Sequence, residues 1–138
     1  MKIIFFGSSR FVIPLIEMLK QQFELVLVVT TESNTSDAVP AYCLEHNIKY
    51  LSISSFTDDV KSQLLTVNCE MAALAYFGLI LPKDVLNIFP KGIINVHPSL
   101  LPLYRGPTPG QAALLSGDKE TGITIIKLDE EVDHGPVL

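Results

Sequence analysis

An α/β chain with a mainly parallel, doubly wound sheet is what this sequence predicts, on three observations. Short apolar runs of four to six residues recur along the chain, as strands buried on both faces require. Between them lie segments whose apolar residues repeat at helical spacing. Gly, Pro, Ser or Asn stands at most changeovers. Strands alternating with helices make parallel crossovers, which place helices on both faces of one sheet. The expected architecture is Rossmann-like.

Ile3 to Phe6 is the first buried strand, and Gly7-Ser8-Ser9 turns the chain. Phe11, Val12, Leu15, Ile16, Met18 and Leu19 then keep helical spacing up to Lys20. Pro14 falls in the first turn, where a missing N–H matters least. Leu25 to Val29 is the second strand, and the polar stretch Thr30 to Asp37 is the loop at its carboxyl end. Asp37 is the expected N-cap of a second helix, with Pro40 in its first turn and Asn47 as its stop. Ile48 to Ile53 reads as a strand, and Thr57 caps a short helix through Val60, Leu64 and Leu65. Met71 to Tyr76 is another buried run, broken by Gly78. Pro82 starts a helical turn through Val85, Leu86 and Phe89, and Gly92 to His97 is the next strand. Thr108-Pro109-Gly110-Gln111 has the form of a capping box, with Pro at the first helical position. Ala112 to Leu115 continue that helix, and Gly117 suits its C′ position. Thr121 to Leu128 is a β-branched strand, Asp129 to Pro136 an acidic loop, and Val137-Leu138 begins a further element.

The 138 residues suit one domain, and 48% hydrophobic residues supply its core. A net charge of −5 argues against a broad phosphate-binding surface. It leaves room for a nucleic acid end entering a pocket. Cys43 and Cys69 are isolated and read as reduced core residues, which fits a cytoplasmic protein. The first apolar run is too short for a signal peptide, and Met71 to Pro82 too short to span a membrane.

The stretch with most chemistry is Asn95-Val96-His97. Side chains i and i+2 of a strand share a face, so an amide and an imidazole stand together at a strand's carboxyl end. Ligands bind at that end of open parallel sheets. The pair either caps the strand or belongs to a site. The Gly7-Ser8-Ser9-Arg10 loop offers main-chain N–H groups to an anion, or is a simple turn. It carries one glycine and lacks G-x-G-x-x-G, so a dinucleotide is not expected. The bent apolar segment from Phe77 through Gly78, Leu79, Ile80 and Leu81 lines a slot for a flat ligand, or packs the core. A carboxylate from Asp129, Glu130, Glu131 or Asp133 could orient His97, and spacing does not choose among the four. His97 and His134 have no metal-ligand spacing, so no metal is expected. Arg105 either holds an anion or bonds loop carbonyls.

Three ordered blocks resemble the folate-dependent formyltransferase family: Asn95 to Pro102 with Tyr104-Arg105-Gly106, then Gly117 to Thr124, then Asp133-His134-Gly135-Pro136. Phe5 to Pro14 and Tyr76 to Lys83 are most similar to its methionyl-tRNA branch. The resemblance implies that residues 1–138 form the N-terminal, Rossmann-like part of a formyltransferase catalytic domain. It implies transfer of a formyl group from 10-formyltetrahydrofolate to an amine. The amine of initiator methionyl-tRNA comes first, with glycinamide ribonucleotide or an amino-sugar nucleotide as alternatives. A folate-binding domain without turnover is the other reading. The family's catalytic Asn, His and Asp fall on Asn95, His97 and Asp133. Asn95 and a charged His97 would stabilise the oxyanion, His97 would move the proton, and Asp133 would fix the imidazole. The donor side would comprise Phe77, Gly78, Leu79, Ile80, Leu81, Ser99, Leu100, Leu101, Pro102 and Asp129. The amine would approach from Gly7, Ser8, Ser9 and Arg10, with Arg105.

Two features depart from the family pattern. The methionyl-tRNA branch carries a long basic loop after the second strand, where this chain has the short Thr31 to Asp37. Relatives also continue past the position of Leu138, so a truncated piece or a small relative is expected. Val137-Leu138 would leave an edge that a partner chain could cover, and the oligomeric state stays open.

Overall fold

A computed structural model describes residues 1–32 and 38–138. Its strands are β1 (Lys2–Phe6), β2 (Glu24–Thr31), β3 (Tyr50–Ile53), β4 (Met71–Leu74), β5 (Ile93–His97) and β6 (Thr124–Lys127). They form one sheet in the order β3-β2-β1-β4-β5-β6. β1 to β5 pair in parallel, and β6 runs antiparallel to β5. The helices are α1 (Ile13–Gln22), α2 (Ala38–Glu45), α3 (Asp58–Val67), α4 (Lys83–Leu86) and α5 (Pro109–Leu115). The chain builds outward from β1 to β3, then returns to add β4 and β5 on the other side. The switch point therefore lies between β1 and β4, where such sheets leave a crevice.

Strand alternation divides the core into two layers. Ile4, Phe6, Leu27, Val29, Ala72 and Ile93 face α3 and α4 with Val60, Leu64 and Val85. Ile3, Phe5, Val28 and Ala73 face α1 and α2 with Val12, Ile16, Leu19, Val39 and Cys43. Both cysteines are free and buried. Among the described residues, no helix is long and apolar enough to cross a membrane.

The local signals act as expected in most places. Thr57 Oγ1 accepts from the Val60 N–H at 3.3 Å and caps α3. Asn47 and Asn68 take left-handed conformations, φ 54° and 49°, at the ends of α2 and α3. Gly117, φ 72°, closes α5: its N–H bonds Leu114 and the Asp118 N–H bonds Ala113, a Schellman pair. Asp37, the expected cap of α2, lies outside the described residues.

Four local expectations need correction. A 3₁₀ turn, Arg10–Val12, precedes α1 and is capped by Ser9, so the α-helix starts at Ile13. Ile48 bonds back to Cys43 to end α2, which delays β3 to Tyr50. Thr108 makes no side-chain cap, because its ψ of 52° lies outside the extended backbone that aims a capping oxygen into the helix. β6 begins only at Thr124, where Thr124 Oγ1 ties the strand to the Ser99 carbonyl and the Leu101 N–H. Val137 forms an antiparallel bridge to Ile126, and the Leu138 N–H bonds the Ile125 carbonyl at 3.0 Å. The last two residues thus pair along the outer side of β6.

Candidate active site

Asn95 and His97 leave β5 on the face that holds Ile93, and both are buried. The Asn95 Nδ2 donates to Asp133 Oδ1 at 3.0 Å. The other carboxylate oxygen, Oδ2, accepts from the Gly106 N–H at 2.8 Å. It also lies 3.4 Å from His97 Nδ1. The His97 side chain is 5% exposed and that of Asp133 10%. His97 Nε2 lies 3.0 Å from the Tyr104 carbonyl. A carbonyl only accepts, so Nε2 carries hydrogen and Nδ1 is the nitrogen left to exchange a proton. Of the four acids that spacing left open, Asp133 is the one brought to the imidazole.

Backbone strain clusters here. Among the described residues, outside the two helix-ending asparagines, the positive-φ residues other than glycine are Tyr76, Tyr104 and Asp133, with φ of 48°, 56° and 48°. All three lie at the carboxyl end of the sheet. Such conformations cost about 1–3 kcal/mol each and persist where surrounding contacts fix them.

Beside the trio lies a cavity of about 130 Å³. Leu74, Leu79, Ile80, Leu81, Leu86 and Leu128 give it an apolar wall. Asn95 and the loop Asp129 to Asp133 close the other side. It is large enough for a flat ring and smaller than the roughly 300–1,000 Å³ of a whole-ligand pocket. A larger hollow, about 820 Å³, opens at the opposite, amino end of the strands near Lys2, Lys49 and Val67. None of the trio lines it, so size does not locate the chemistry.

The acidic loop is pinned from two directions. Glu130 pairs with Lys83 at 2.6 Å, and the hydrogen bond, with the carboxylate's charge, raises the lysine's affinity for its proton. His134 Nδ1 lies 2.8 Å from Asp129 Oδ2. That contact raises the His134 pKa, with the Glu131 charge acting in the same direction and Arg105 opposing it. The same contact, with the Glu131 N–H, lowers the pKa of Asp129. Among the described residues, no three His, Cys, Asp or Glu side chains converge as metal ligands would.

The remaining predicted residues divide. Leu79, Ile80, Leu81 and Asp129 line the cavity. Phe77 does not: it is 2% exposed and packs edge-on against Phe6 at 5.3 Å. Gly78, φ 85°, makes the bend after it. Ser99, Leu100, Leu101 and Pro102 lie outside the cavity lining. Ser99 Oγ donates to the Leu103 carbonyl at 2.7 Å, and Thr124 Oγ1 joins the Ser99 carbonyl to the Leu101 N–H. Leu100 is half exposed. Ser99 and Leu101 are thus tied into the loop that carries Tyr104.

In the first loop, the Gly7 N–H bonds Val29 and the Ser8 N–H bonds Tyr76. Ser8 Oγ donates to the Phe77 carbonyl and accepts from the Thr31 N–H. Ser9 caps the 3₁₀ turn. A Cβ on Gly7 would stand 2.9 Å from the Ala75 carbonyl oxygen, so only glycine fits. The N–H groups of Gly7 and Ser8 thus tie β1, β2 and β4 together and are not offered to an anion. Arg10 and Arg105 are exposed; Arg10 lies over the Phe11 ring at 5.3 Å.

Tyr104, Gly106 and Gly135 stand in the matched blocks without an assigned role, and Leu128 is placed only at a strand end; all four belong to the site or its support. The first two act through main-chain atoms, which side-chain chemistry does not announce. Leu128 could have been found as the last apolar residue before the acidic loop.

A sequence model described as formyl transferase matches residues 1–138. The chain is 38% identical to the methionyl-tRNA formyltransferase of Wolbachia pipientis subsp. Culex pipiens, over 100% of its own length and 50% of that protein. With the methionyl-tRNA formyltransferase of Carboxydothermus hydrogenoformans it shares 34% identity, over 99% of this chain and 47% of the relative. The chain thus spans about half the length of the curated relatives it matches. In fold it resembles a phosphoribosylglycinamide formyltransferase from Bacillus Halodurans, with a TM-score of 0.82, 24% identity, 99% of this chain and 75% of the other covered. A sugar N-formyltransferase from Shewanella sp FDAARGOS_354 gives a TM-score of 0.72 at 20% identity, covering 100% of this chain and 55% of the other. With the whole sequence matched and the sheet shared, the chain belongs to the formyl transferase family.

Proposed function

We propose that this chain carries the formyl-transfer site of a folate-dependent methionyl-tRNA formyltransferase. The observation that carries this reading is the buried Asn95–Asp133–His97 trio set against an apolar slot. The slot takes the flat pterin ring of 10-formyltetrahydrofolate against Leu79, Ile80 and Leu81, with the rest of the donor outside it. The attacking amine nitrogen bonds the formyl carbon, whose oxygen gains negative charge. Asn95 uses one of its two amide N–H bonds on Asp133, which leaves the second for that oxygen. The N10–carbon bond then breaks. The proton lost by the amine reaches N10 through His97 Nδ1 and Asp133, which balances the transfer.

For the acceptor, the first loop favours the tRNA reading over a ribonucleotide. Its Gly7 and Ser8 amides are bonded inside the protein, so these two are not turned to the lone phosphate of a ribonucleotide. The cytoplasm, where buried thiols stay reduced, suits such an enzyme. The test is formyl transfer from 10-formyltetrahydrofolate to charged initiator methionyl-tRNA, glycinamide ribonucleotide and an amino-sugar nucleotide in parallel. Transfer to the tRNA is expected, and His97→Ala should lower it by at least about a hundredfold. Folate binding with no transfer to any acceptor would leave only a binding module.

A further inference from the structure

Resting on the formyl-transfer reading, we propose that Tyr104 is a positioning residue for His97, held in place by Asp118. The link begins at Gly117. Its left-handed conformation lets α5 end in a Schellman pair, which fixes the Asp118 N–H on the Ala113 carbonyl at 3.1 Å. Asp118 is thus set on the last turn of a helix rather than on a free loop. Its Oδ2 accepts from the Tyr104 hydroxyl at 2.6 Å, the length of a charge-assisted bond. Tyr104 itself stands at φ 56°, a conformation that a tyrosine does not hold without support. The loop around it is held on both sides. Ser99 Oγ bonds the Leu103 carbonyl before it, and Asp133 Oδ2 accepts from the Gly106 N–H after it.

The Tyr104 carbonyl lies between those two anchors and is the partner of His97 Nε2 at 3.0 Å. Its direction sets which ring nitrogen keeps the hydrogen, and so which nitrogen faces Asp133. Asp118 does not line the slot, and its carboxylate is bonded to Tyr104. The side chains of Tyr104 and Asp118 therefore act on the imidazole through the backbone. Their effect belongs on turnover rather than on donor binding.

Imidazole nitrogen NMR on the whole chain, paired with formyl-transfer kinetics, tests this. Wild type should show His97 with its hydrogen on Nε2. Tyr104→Phe and Asp118→Ala should each give mixed tautomers and faster exchange of that hydrogen. Both should lower kcat by about tenfold to a hundredfold with KM for the donor unchanged. Asp118→Asn, which keeps an oxygen acceptor without the charge, should retain the Nε2 tautomer and a kcat above that of Asp118→Ala. A His97 tautomer that stays on Nε2 in Tyr104→Phe and Asp118→Ala would overturn the proposal, even if either variant lost stability. If wild type transfers no formyl group while the spectra change as stated, the positioning role stands and the formyl-transfer reading fails.

Discussion

The Asp133 carboxylate receives two donors, the Asn95 amide on Oδ1 and the Gly106 N–H on Oδ2. Both oxygens are therefore acceptors in use, and the group is nearly buried. This makes Asp133→Asn a sharper test than truncation. An asparagine has one oxygen and one NH2 in place of two oxygens. Turned one way its NH2 meets the Gly106 donor; turned the other it meets the Asn95 amide, which must then point its oxygen inward and give up the N–H bond seen here. A buried donor without an acceptor costs about 1–3 kcal/mol. Urea unfolding of Asp133→Asn should show that loss as a lower midpoint at unchanged slope. Asn95→Asp combined with Asp133→Asn exchanges donor and acceptor, and should recover part of it. An Asp133→Asn protein as stable as wild type would mean that the carboxylate does not hold these two donors in solution.

The loop from Asp129 to Pro136 depends on a backbone contact as much as on its charges. Gly135 is buried, and a Cβ there would overlap the Lys127 carbonyl oxygen at the end of β6. Glycine alone lets the returning chain lie on that strand, where the Lys127 N–H bonds the Pro136 carbonyl at 2.9 Å. Asp133 is two residues away, so displacing Gly135 also displaces the carboxylate. Gly135→Ala should destabilise the protein by at least about 2 kcal/mol and abolish formyl transfer. Thermal unfolding and the transfer assay read the two effects; a Gly135→Ala protein with unchanged melting would remove the close contact from the fold. Such contacts explain what the sequence could and could not disclose. Strand and helix identities were legible because burial writes itself as periodicity, as in Ile3 to Phe6 and Met71 to Leu74. The Asn95–His97 pair was legible because strand geometry puts i and i+2 together. Phe77 misled because a slot wall and a core wall are equally apolar, and only the packing against Phe6 separates them. Thr108 misled because its residue type suits a cap while its ψ does not. The roles of Tyr104 and Gly106 toward His97 and Asp133 are not legible in the sequence, because they meet them through a carbonyl and an N–H, which almost every residue possesses.

At the scale of the molecule, the sheet gathers its functional loops at one end. The sequence holds two arginines, Arg10 and Arg105. They lie in the loops that follow β1 and β5, the strands on either side of β4. Both arginines are exposed, at the carboxyl end that carries the trio. The far wall of the slot is acidic, with Asp129, Glu130 and Glu131, and the net charge is −5. If the acceptor is the proposed methionyl-tRNA, its approaching end is repelled by most of this surface. It finds its two guanidinium groups beside the site, where their planar forks suit phosphate. Acceptor binding should therefore depend weakly on salt. Each phosphate neutralised on a single strand contributes about 0.7 to the slope of log K against log salt, so two contacts give a slope of about −1.4. Arg10→Ala and Arg105→Ala should each reduce that slope by about 0.7 when binding of initiator tRNA is titrated across salt concentrations. Lys49→Ala, at the amino end of the sheet beside the larger hollow, should leave it unchanged. A slope that neither arginine substitution alters would take both arginines out of acceptor binding and put the grip on phosphate elsewhere.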